Sequence, residues 1–254
     1  MTLPLHDISF PITEPGTLQQ DQSYFLLREG DQMLRLRFHD YGAIYERPGL
    51  YEQLFYKRLQ CNSPEKAREV LLKVLRDSHQ DVHSLRVLDL GAGNGMMGEL
   101  LDAARVVGVD ILPEARAACE RDRPQAYDAY YVLDMTRLED GQAREMKSWQ
   151  LNAMTCIAAL GFGDIPVSAF TQAYNLIETG GWVVFNIKET FLHECDVTGF
   201  SRLVKEMMLS DKLEVHHLER YRHRLSIDGA PLFYFLLVGR KRADIASSWL
   251  QVSD

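Results

Sequence analysis

A glycine-rich stretch with an acid in front of it is the part of the sequence best suited to chemistry. Val87-Leu88-Asp89-Leu90 is followed by three glycines at alternate positions, Gly91, Gly93 and Gly95. Such a loop can approach a ligand closely because glycine has no side chain to obstruct it. The apolar residues before the loop predict a buried strand, and those after it predict a helix over about 95–104, whose first N–H groups would face a carboxylate or phosphate.

The spacing of the glycines indicates which ligands this loop does not fit. A dinucleotide-binding loop would need its third glycine at position 96, where the chain has Met96. A Walker A loop would need a Gly-Lys-Ser/Thr sequence, which does not follow. Asp89 would repel a pyrophosphate, whereas it would attract an α-amino group. The loop is therefore predicted to hold the amino-acid part of a ligand rather than a phosphate.

Two further acids end the next two predicted strands. Asp110 ends the second strand, where a carboxylate can accept hydrogen bonds from both ribose hydroxyls. Asp134 ends the third strand, where it could accept a hydrogen bond from an adenine amino group, and Ile111 and Met135 could lie on either side of the ring. The alternatives are that Asp110 caps a helix and that Asp134 is a surface residue.

Predicted strands and helices, which would position these residues, alternate along the chain from residue 86 onward. Asp228-Gly229 lies between two long β-like runs and predicts a closing hairpin. We predict an α/β fold with a doubly wound sheet, in which ligands bind at the carboxyl ends of the strands. The predicted parallel strands are 86–90, 105–109, 129–133, 153–159 and 182–187, and the predicted helices are 63–76, 113–121, 141–147, 166–178 and 200–209.

The N-terminal part of the chain has a different character. An arm and a small hairpin precede residues 39–56, which contain five aromatic residues. We expect residues 1–62 to form an N-terminal arm and an aromatic, helical lid, and residues 63–254 to form the core. Tyr45 and Tyr51 are candidates to close over donor or acceptor. The alternative is that the aromatic residues only pack the arm onto the core.

Together these motifs resemble those of class I S-adenosylmethionine-dependent methyltransferases, over about residues 86–241. The resemblance implies a seven-stranded Rossmann-like sheet that ends in the antiparallel hairpin, and S-adenosyl-L-methionine as the cofactor. The motifs that carry it are Val87–Gly95, Gly108–Ile111 and Leu133–Met135. The chain is also similar to a little-characterised methyltransferase-like subgroup, which brings no substrate with it, through Arg47–Glu52, Ala159–Pro166 and Phe185–Glu189.

The same resemblance assigns parts of the cofactor to residues of this chain. Asp110 would hold the ribose, and Asp134 with Met135 would hold the adenine. Ala158, at the end of the fourth predicted strand, would also contact the cofactor. The methionine moiety would lie against the glycine motif, namely Asp89, Gly91, Ala92, Gly93, Asn94 and Gly95.

The acceptor side is expected around the ends of the fourth and later strands. Family members that methylate an amino group in nucleic acid or glutamine often carry Asn/Asp-Pro-Pro-Tyr/Phe at the fourth strand end. This chain has the apolar Ala158–Gly163 instead, which lacks the carbonyl pair that would hold a planar amine. Beyond the fifth strand, His193 is a candidate general base and Glu189 a candidate for binding an acceptor amine. His223 is a further substrate-binding candidate, with packing or surface roles as the alternative for all three.

Charge and cysteine content limit the expected partners. A formal net charge of −8 and a pI of about 5.5 argue against long polyanions, so we expect no nucleic-acid partner. The four cysteines lie far apart without a CxxC pair, so we expect reduced thiols and no metal centre. The sequence shows neither a secretory signal nor an apolar stretch of about 18 residues, which predicts a cytoplasmic protein without a membrane partner.

The sequence thus predicts an enzyme that transfers a methyl group to an oxygen or nitrogen of a small-molecule acceptor. One alternative is a partner or regulatory protein that binds the cofactor without catalysis. Another is a protein methyltransferase, because an acidic chain would attract basic peptides. The acceptor, the base and the oligomeric state stay open at this point.

Overall fold

Two sheets organise the chain in the computed structural model, which describes residues 4–11, 23–160, 164–192 and 198–246. The smaller sheet is antiparallel, with the order β1 (Asp7–Ser9), β2 (Tyr24–Glu29) and β3 (Gln32–Arg37). The hairpin predicted from the sequence is the β2–β3 pair, and β1 adds a third strand to it.

The larger sheet contains, in chain order, β4 (Arg86–Leu90), β5 (Arg105–Asp110), β6 (Ala129–Val132), β7 (Ala153–Leu160), β8 (Trp182–Lys188), β9 (Leu213–Leu225) and β10 (Pro231–Lys241). Its spatial order is β6-β5-β4-β7-β8-β10-β9. Strands β6, β5, β4, β7 and β8 are parallel, and β10 runs antiparallel to both β8 and β9. The predicted doubly wound, seven-stranded Rossmann-like sheet with a terminal antiparallel hairpin is confirmed.

Helices cover both faces of this sheet because successive strand residues point to opposite sides. Leu88 of β4 packs in one apolar cluster with Phe170 and Phe200, and its neighbour Val87 packs in another with Leu71. Within the described ranges, no helix combines the length and apolar character that crossing a membrane requires. The helices are α1 (Tyr41–Tyr45), a π-helix (Glu52–Arg58), α2 (Ser63–Asp77), α3 (Pro113–Asp122), α4 (Asp140–Ser148), α5 (Val167–Leu176) and α6 (Phe200–Leu209).

The helix predicted over 95–104 is wrong. The chain forms turns there, with one short 3₁₀ turn at Gly98–Leu100. Gly95 has φ +88°, in the left-handed region that a right-handed helix does not use. At Gly98, an added Cβ would lie 2.5 Å from two ring carbons of Tyr127, so this glycine makes room for a tyrosine from another part of the chain. The loop therefore gains no long helix N-terminus for binding an anion.

Aromatic residues fasten the N-terminal segment to the rest of the molecule. Phe38 and Phe55 lie in a buried cluster under the smaller sheet. Tyr45 packs against Ala115 and Ala118 of α3. Packing therefore explains part of the aromatic enrichment.

Candidate functional site

A cavity of about 360 Å³ opens where four parallel strands of the larger sheet end. The glycine loop after β4 and the carboxyl ends of β5, β6 and β7 form its base. Tyrosines of the N-terminal segment and residues 164–166 form its other walls. Doubly wound sheets bind their ligands at this edge.

This cavity is lined by most of the residues that were singled out from the sequence. Four do not, namely Asp89, Gly95, Glu189 and His223, while His193 lies outside the described residues. Those that do are Tyr45, Tyr51, Gly91, Ala92, Gly93, Asn94, Asp110, Ile111, Asp134, Met135 and Ala158.

Neighbouring residues lie so close to Gly91 and Gly93 that a side chain has no room at either position. Gly91 and Gly93 have φ values of +73° and +53°, which favour glycine. A Cβ on Gly93 would lie 2.6 Å from the hydroxyl oxygen of Tyr45, and one on Gly91 would lie 2.9 Å from Ile165 Cδ1 and from Ala159 Cβ. The N-terminal segment, through Tyr45, and the segment after β7, through Ile165, therefore both lie close to the loop.

Asp110 is held in a fixed orientation at the end of β5. Its Oδ2 accepts a hydrogen bond from the Gly93 N–H (2.9 Å) and its Oδ1 accepts one from the Leu112 N–H (3.0 Å). Desolvation raises the pKa of Asp110, and these two N–H groups oppose that effect. Each carboxylate oxygen has a second lone pair, so the group can still accept hydrogen bonds from a ligand that carries two neighbouring hydroxyls.

Asp134 is more open than Asp110. Its Oδ1 accepts hydrogen bonds from the Thr136 N–H (2.9 Å) and hydroxyl (2.7 Å). The hydrogen bond from the Thr136 side chain is the main reason that the pKa of Asp134 is lowered. Asp134 is thus a carboxylate at the cavity edge, beside Met135.

Asp89 does not reach the cavity, contrary to the expectation that it holds an amino group. The residue is 1% exposed. The Thr155 hydroxyl donates to its Oδ1 (2.6 Å) and the Tyr127 hydroxyl to its Oδ2 (2.7 Å). Tyr127 also lies 3.3 Å from the carbonyl oxygen of Ala92. Desolvation raises the pKa of Asp89 to about 6. Asp89 therefore supports the loop from beneath.

Three tyrosine rings form a stack over the glycine loop. The Tyr41 and Tyr45 rings are stacked with centroids 6.2 Å apart, and the Tyr45 and Tyr51 centroids lie 5.0 Å apart. Burial raises the pKa of all three phenols. These side chains therefore remain neutral hydroxyls and form a largely apolar roof.

A buried polar contact, which the sequence analysis missed, joins the N-terminal segment to the glycine loop. The Asn94 side-chain amide donates to Glu52 Oε1 (2.7 Å), and Arg123 Nη1 donates to the same oxygen (2.8 Å). Glu52 is 8% exposed, and an acid buried to this degree needs such partners. No local pattern marks Glu52, because its helix also contains Gln53, Lys57 and Arg58.

Ala158 lies at a break in the pairing of β7 with β8. It has φ +59°, and its N–H donates to Asn186 Oδ1 (2.7 Å). The Asn186 amide donates to the Tyr221 hydroxyl (2.6 Å), which is hydrogen-bonded to Ser63 Oγ (2.6 Å). Ser63 Oγ in turn lies 2.6 Å from His223 Nδ1. A buried chain of hydrogen bonds thus fixes the strained backbone of Ala158.

His223 ends this chain and does not face the cavity, so we do not retain it as a substrate-binding residue. It is 4% exposed, and its ring lies on that of Tyr234 with centroids 4.0 Å apart. Desolvation lowers the pKa of His223 well below its ordinary value, so the ring is neutral. The prediction failed because β9 turns this side chain toward α2 rather than toward the strand ends.

Glu189 also does not face the cavity, because it pairs with an arginine of β9. Its carboxylate forms a two-point ion pair with Arg220, at 2.8 and 3.0 Å. This pair joins the end of β8 to the terminal hairpin. The structure gives Glu189 no place on the cavity wall.

A second group that the sequence analysis missed lies after β7. Asp164 lines the cavity, and its Oδ2 lies 3.5 Å from His39 Nδ1. The His39 ring meets Tyr41 edge to face, with centroids 5.9 Å apart. The two residues are 125 positions apart (164 − 39), so no local pattern could have paired them.

Comparison with known proteins agrees with this geometry. A family model described as a methyltransferase domain matches residues 88–185. A ubiquinone biosynthesis O-methyltransferase from Burkholderia vietnamiensis is 25% identical over 112 residues, which cover 43% of this chain and 47% of that protein. The chain thus spans about half the length of the curated relatives it matches.

Solved structures show the same fold. The N-methyltransferase NodS from Bradyrhizobium japonicum, in complex with S-adenosyl-L-homocysteine, matches with a TM-score of 0.52 at 13% identity, over 80% of this chain and 97% of that one. An S-adenosylmethionine-dependent methyltransferase from Clostridium acetobutylicum matches with a TM-score of 0.53 at 10% identity, over 76% of this chain and 97% of that one.

Proposed function

We propose that the chain is a class I S-adenosylmethionine-dependent methyltransferase that transfers a methyl group from S-adenosyl-L-methionine to an oxygen or nitrogen of a small-molecule acceptor. The methyltransferase-domain match over residues 88–185 and the shared fold support this proposal. The observation that carries this proposal is the oriented carboxylate of Asp110 at the cavity, tied to the glycine loop by the Gly93 N–H. A nucleoside whose ribose lies on Asp110 would place its 5′ substituent along that loop.

The cavity walls offer a place for each part of this donor. Asp110 would accept the two ribose hydroxyls, and Ile111 and Met135 would lie on either side of the adenine, with Asp134 at its edge. Backbone groups from Gly91 to Asn94 would contact the methionine moiety. The donor's sulfonium is already activated, so the protein chiefly has to align the reactants, which is worth on the order of 7–11 kcal/mol.

The acceptor side of the cavity supports a small, partly apolar acceptor. It is formed by the tyrosines together with Ala158, Ala159, Ile165 and Pro166. Enclosed apolar walls with few polar groups are typical of small-molecule sites. A protein methyltransferase would need an open groove for a peptide, whereas Tyr41, Tyr45 and Tyr51 cover this site.

We also propose that residues 1–62 act as a lid for a methyltransferase core formed by residues 63–254. The supporting contacts are the tyrosine stack over Gly93 and the Glu52–Asn94 hydrogen bond between lid and loop. A lid of this kind would exclude water from the donor and the acceptor.

A labelled-donor screen tests the proposed function. The protein is incubated with S-adenosylmethionine that carries an isotopic methyl label and with a fractionated metabolite extract, and the products are identified by mass. We expect the label in a small molecule. If S-adenosylhomocysteine binds but no compound is labelled, the alternative of a cofactor-binding partner protein replaces the enzyme. A labelled protein would instead identify a protein methyltransferase.

A further inference from the structure

A hydroxyl acceptor must lose its proton during methylation, and the cavity wall shows which group can take it. Among the lining residues that the structure describes, the ionisable side chains are four tyrosines and three aspartates, and none is a lysine, arginine or histidine. They are Tyr41, Tyr45, Tyr51, Tyr56, Asp110, Asp134 and Asp164.

All but one of these groups are unsuited to the task. Burial raises the pKa of the four phenols, so they hold their own protons. Asp110 is bound by two backbone N–H groups on the side assigned to the ribose. Asp134 is bound by Thr136 on the side assigned to the adenine. Asp164 is the remaining carboxylate.

Asp164 also stands in a suitable place. It follows β7 and precedes Ile165, whose side chain lies directly over Gly91 of the donor loop. Its own side chain is 40% exposed, so an acceptor can reach it. In the described part of the chain its ion-pair partner is His39, and neither lysine nor arginine neutralises it.

We propose that Asp164 accepts the proton of a hydroxyl acceptor and that His39 positions its carboxylate. This inference rests on the proposed function and names the acceptor class as an uncharged hydroxylated ring compound. The described part of the wall is largely apolar and aromatic and carries three carboxylates without a cationic side chain, so it disfavours a carboxylic acid.

The acceptor oxygen forms a bond to the methyl carbon while the carbon–sulfur bond breaks, and sulfur keeps that electron pair. The hydroxyl proton moves to a carboxylate oxygen of Asp164. The products are a methyl ether, a neutral thioether and a protonated Asp164, which returns its proton to water.

His39 has the placement of a positioning residue. Its side chain is 16% exposed, and its Nδ1 lies 3.5 Å from Asp164 Oδ2. Its ring meets Tyr41 edge to face, which limits its rotation. Because His39 does not line the cavity, its replacement should lower kcat less than the replacement of Asp164.

The test uses defined acceptors. Phenol, catechol and 4-nitrocatechol are compared with aniline and benzoic acid, with labelled donor at about pH 8. For Asp164→Asn, kcat/KM with catechol should fall at least about 100-fold, and less for His39→Gln. With 4-nitrocatechol, which is already largely ionised, the loss should be under about 10-fold. The affinity for S-adenosylhomocysteine should stay within about two-fold.

The chain supplies a matched control. His83 and Asp102 form a similar pair, 3.6 Å apart, with both side chains largely exposed. Asp102→Asn should therefore leave every rate unchanged. Equal losses of Asp164→Asn on catechol and 4-nitrocatechol, or no loss at all, would overturn the inference. So would transfer to aniline alone, or to extract compounds but to none of the three hydroxyl compounds.

Failure of the proposed function has a different signature. In that case wild-type protein labels no compound in either the panel or the extract. Loss of S-adenosylhomocysteine binding in Asp164→Asn, to the same extent as the loss of rate, would show that Asp164 only maintains the site and would also overturn the inference.

Discussion

Replacing Asp89 by asparagine separates a supporting role from a ligand-binding one. Asp89 is buried between Thr155 and Tyr127 and does not line the cavity. Asparagine has nearly the same shape; its oxygen can still accept from Thr155, and Tyr127 can turn its hydroxyl toward the Ala92 carbonyl oxygen, 3.3 Å away. We therefore expect Asp89→Asn to fold and to bind S-adenosylhomocysteine with an affinity within about five-fold of wild type.

The pKa of Asp89 sets the expected stability change. It rises from 3.8 to about 6 in the folded protein. Because the folded state holds the proton more tightly, this group's contribution to stability is fully present below pH 4 and is lost as the pH rises through about 6. At about 1.4 kcal/mol per pKa unit the full loss is about 3 kcal/mol, of which about 1.3 kcal/mol falls between pH 5 and pH 7.

The assay is urea unfolding at pH 5, 6 and 7. The free energy of unfolding of Asp89→Asn, relative to wild type, should rise by about 1.3 kcal/mol from pH 5 to pH 7. Asp102→Asn, an exposed acid, should show no such trend. A parallel pH dependence in Asp89→Asn and wild type, or a loss of S-adenosylhomocysteine affinity of more than about 50-fold in the variant, would refute the supporting role.

Two further predictions concern the contacts between lid and loop. Glu52→Gln should lower the free energy of unfolding by about 2 kcal/mol, because it leaves the buried Arg123 without its closest carboxylate. The Glu99 carboxylate is largely exposed, so Glu99→Gln should lower it by less than about 1 kcal/mol. Equal urea midpoints for the two variants would contradict this. Gly93→Ala should be destabilised by about 1–3 kcal/mol in thermal unfolding, because its φ is +53° and its Cβ would lie 2.6 Å from the Tyr45 hydroxyl oxygen. Adding Tyr45→Phe should recover part of that loss, and a double variant less stable than the sum of the single changes would count against the close contact.

Strands and most helices were predictable because their signals are local. Runs such as Arg86–Leu90 and Trp182–Lys188 are largely apolar and are followed by acids, glycines or turns. The pattern of apolar residues and the residues that end each run therefore locate these strands. Asp110 and Asp134 were found for the same reason, since the carboxyl end of a parallel strand is a place in the fold that can be read from the chain.

The features that could not be predicted depend on contacts between residues far apart in the sequence. Whether Asp89 faces a ligand or the interior depends on Tyr127, in the loop before β6, and on Thr155 of β7. The missing helix after Gly95 depends on the Tyr127 ring beside Gly98. The His39–Asp164 pair likewise forms only when the N-terminal segment lies against the loop after β7.

Calorimetric titration of S-adenosylhomocysteine into wild type, Asp110→Ala and Asp128→Ala tests the central claim most directly. Asp128 is a matched control, because it accepts a backbone N–H, that of Val106 (2.8 Å), just as Asp110 accepts that of Gly93, but it does not line the cavity. Losing two hydrogen bonds to a carboxylate costs about 3 kcal/mol or more, so Asp110→Ala should bind at least about 100-fold more weakly, while Asp128→Ala binds like wild type. Equal affinities for wild type and Asp110→Ala, or no binding to wild type, would contradict the assignment of this cavity to the methyl donor.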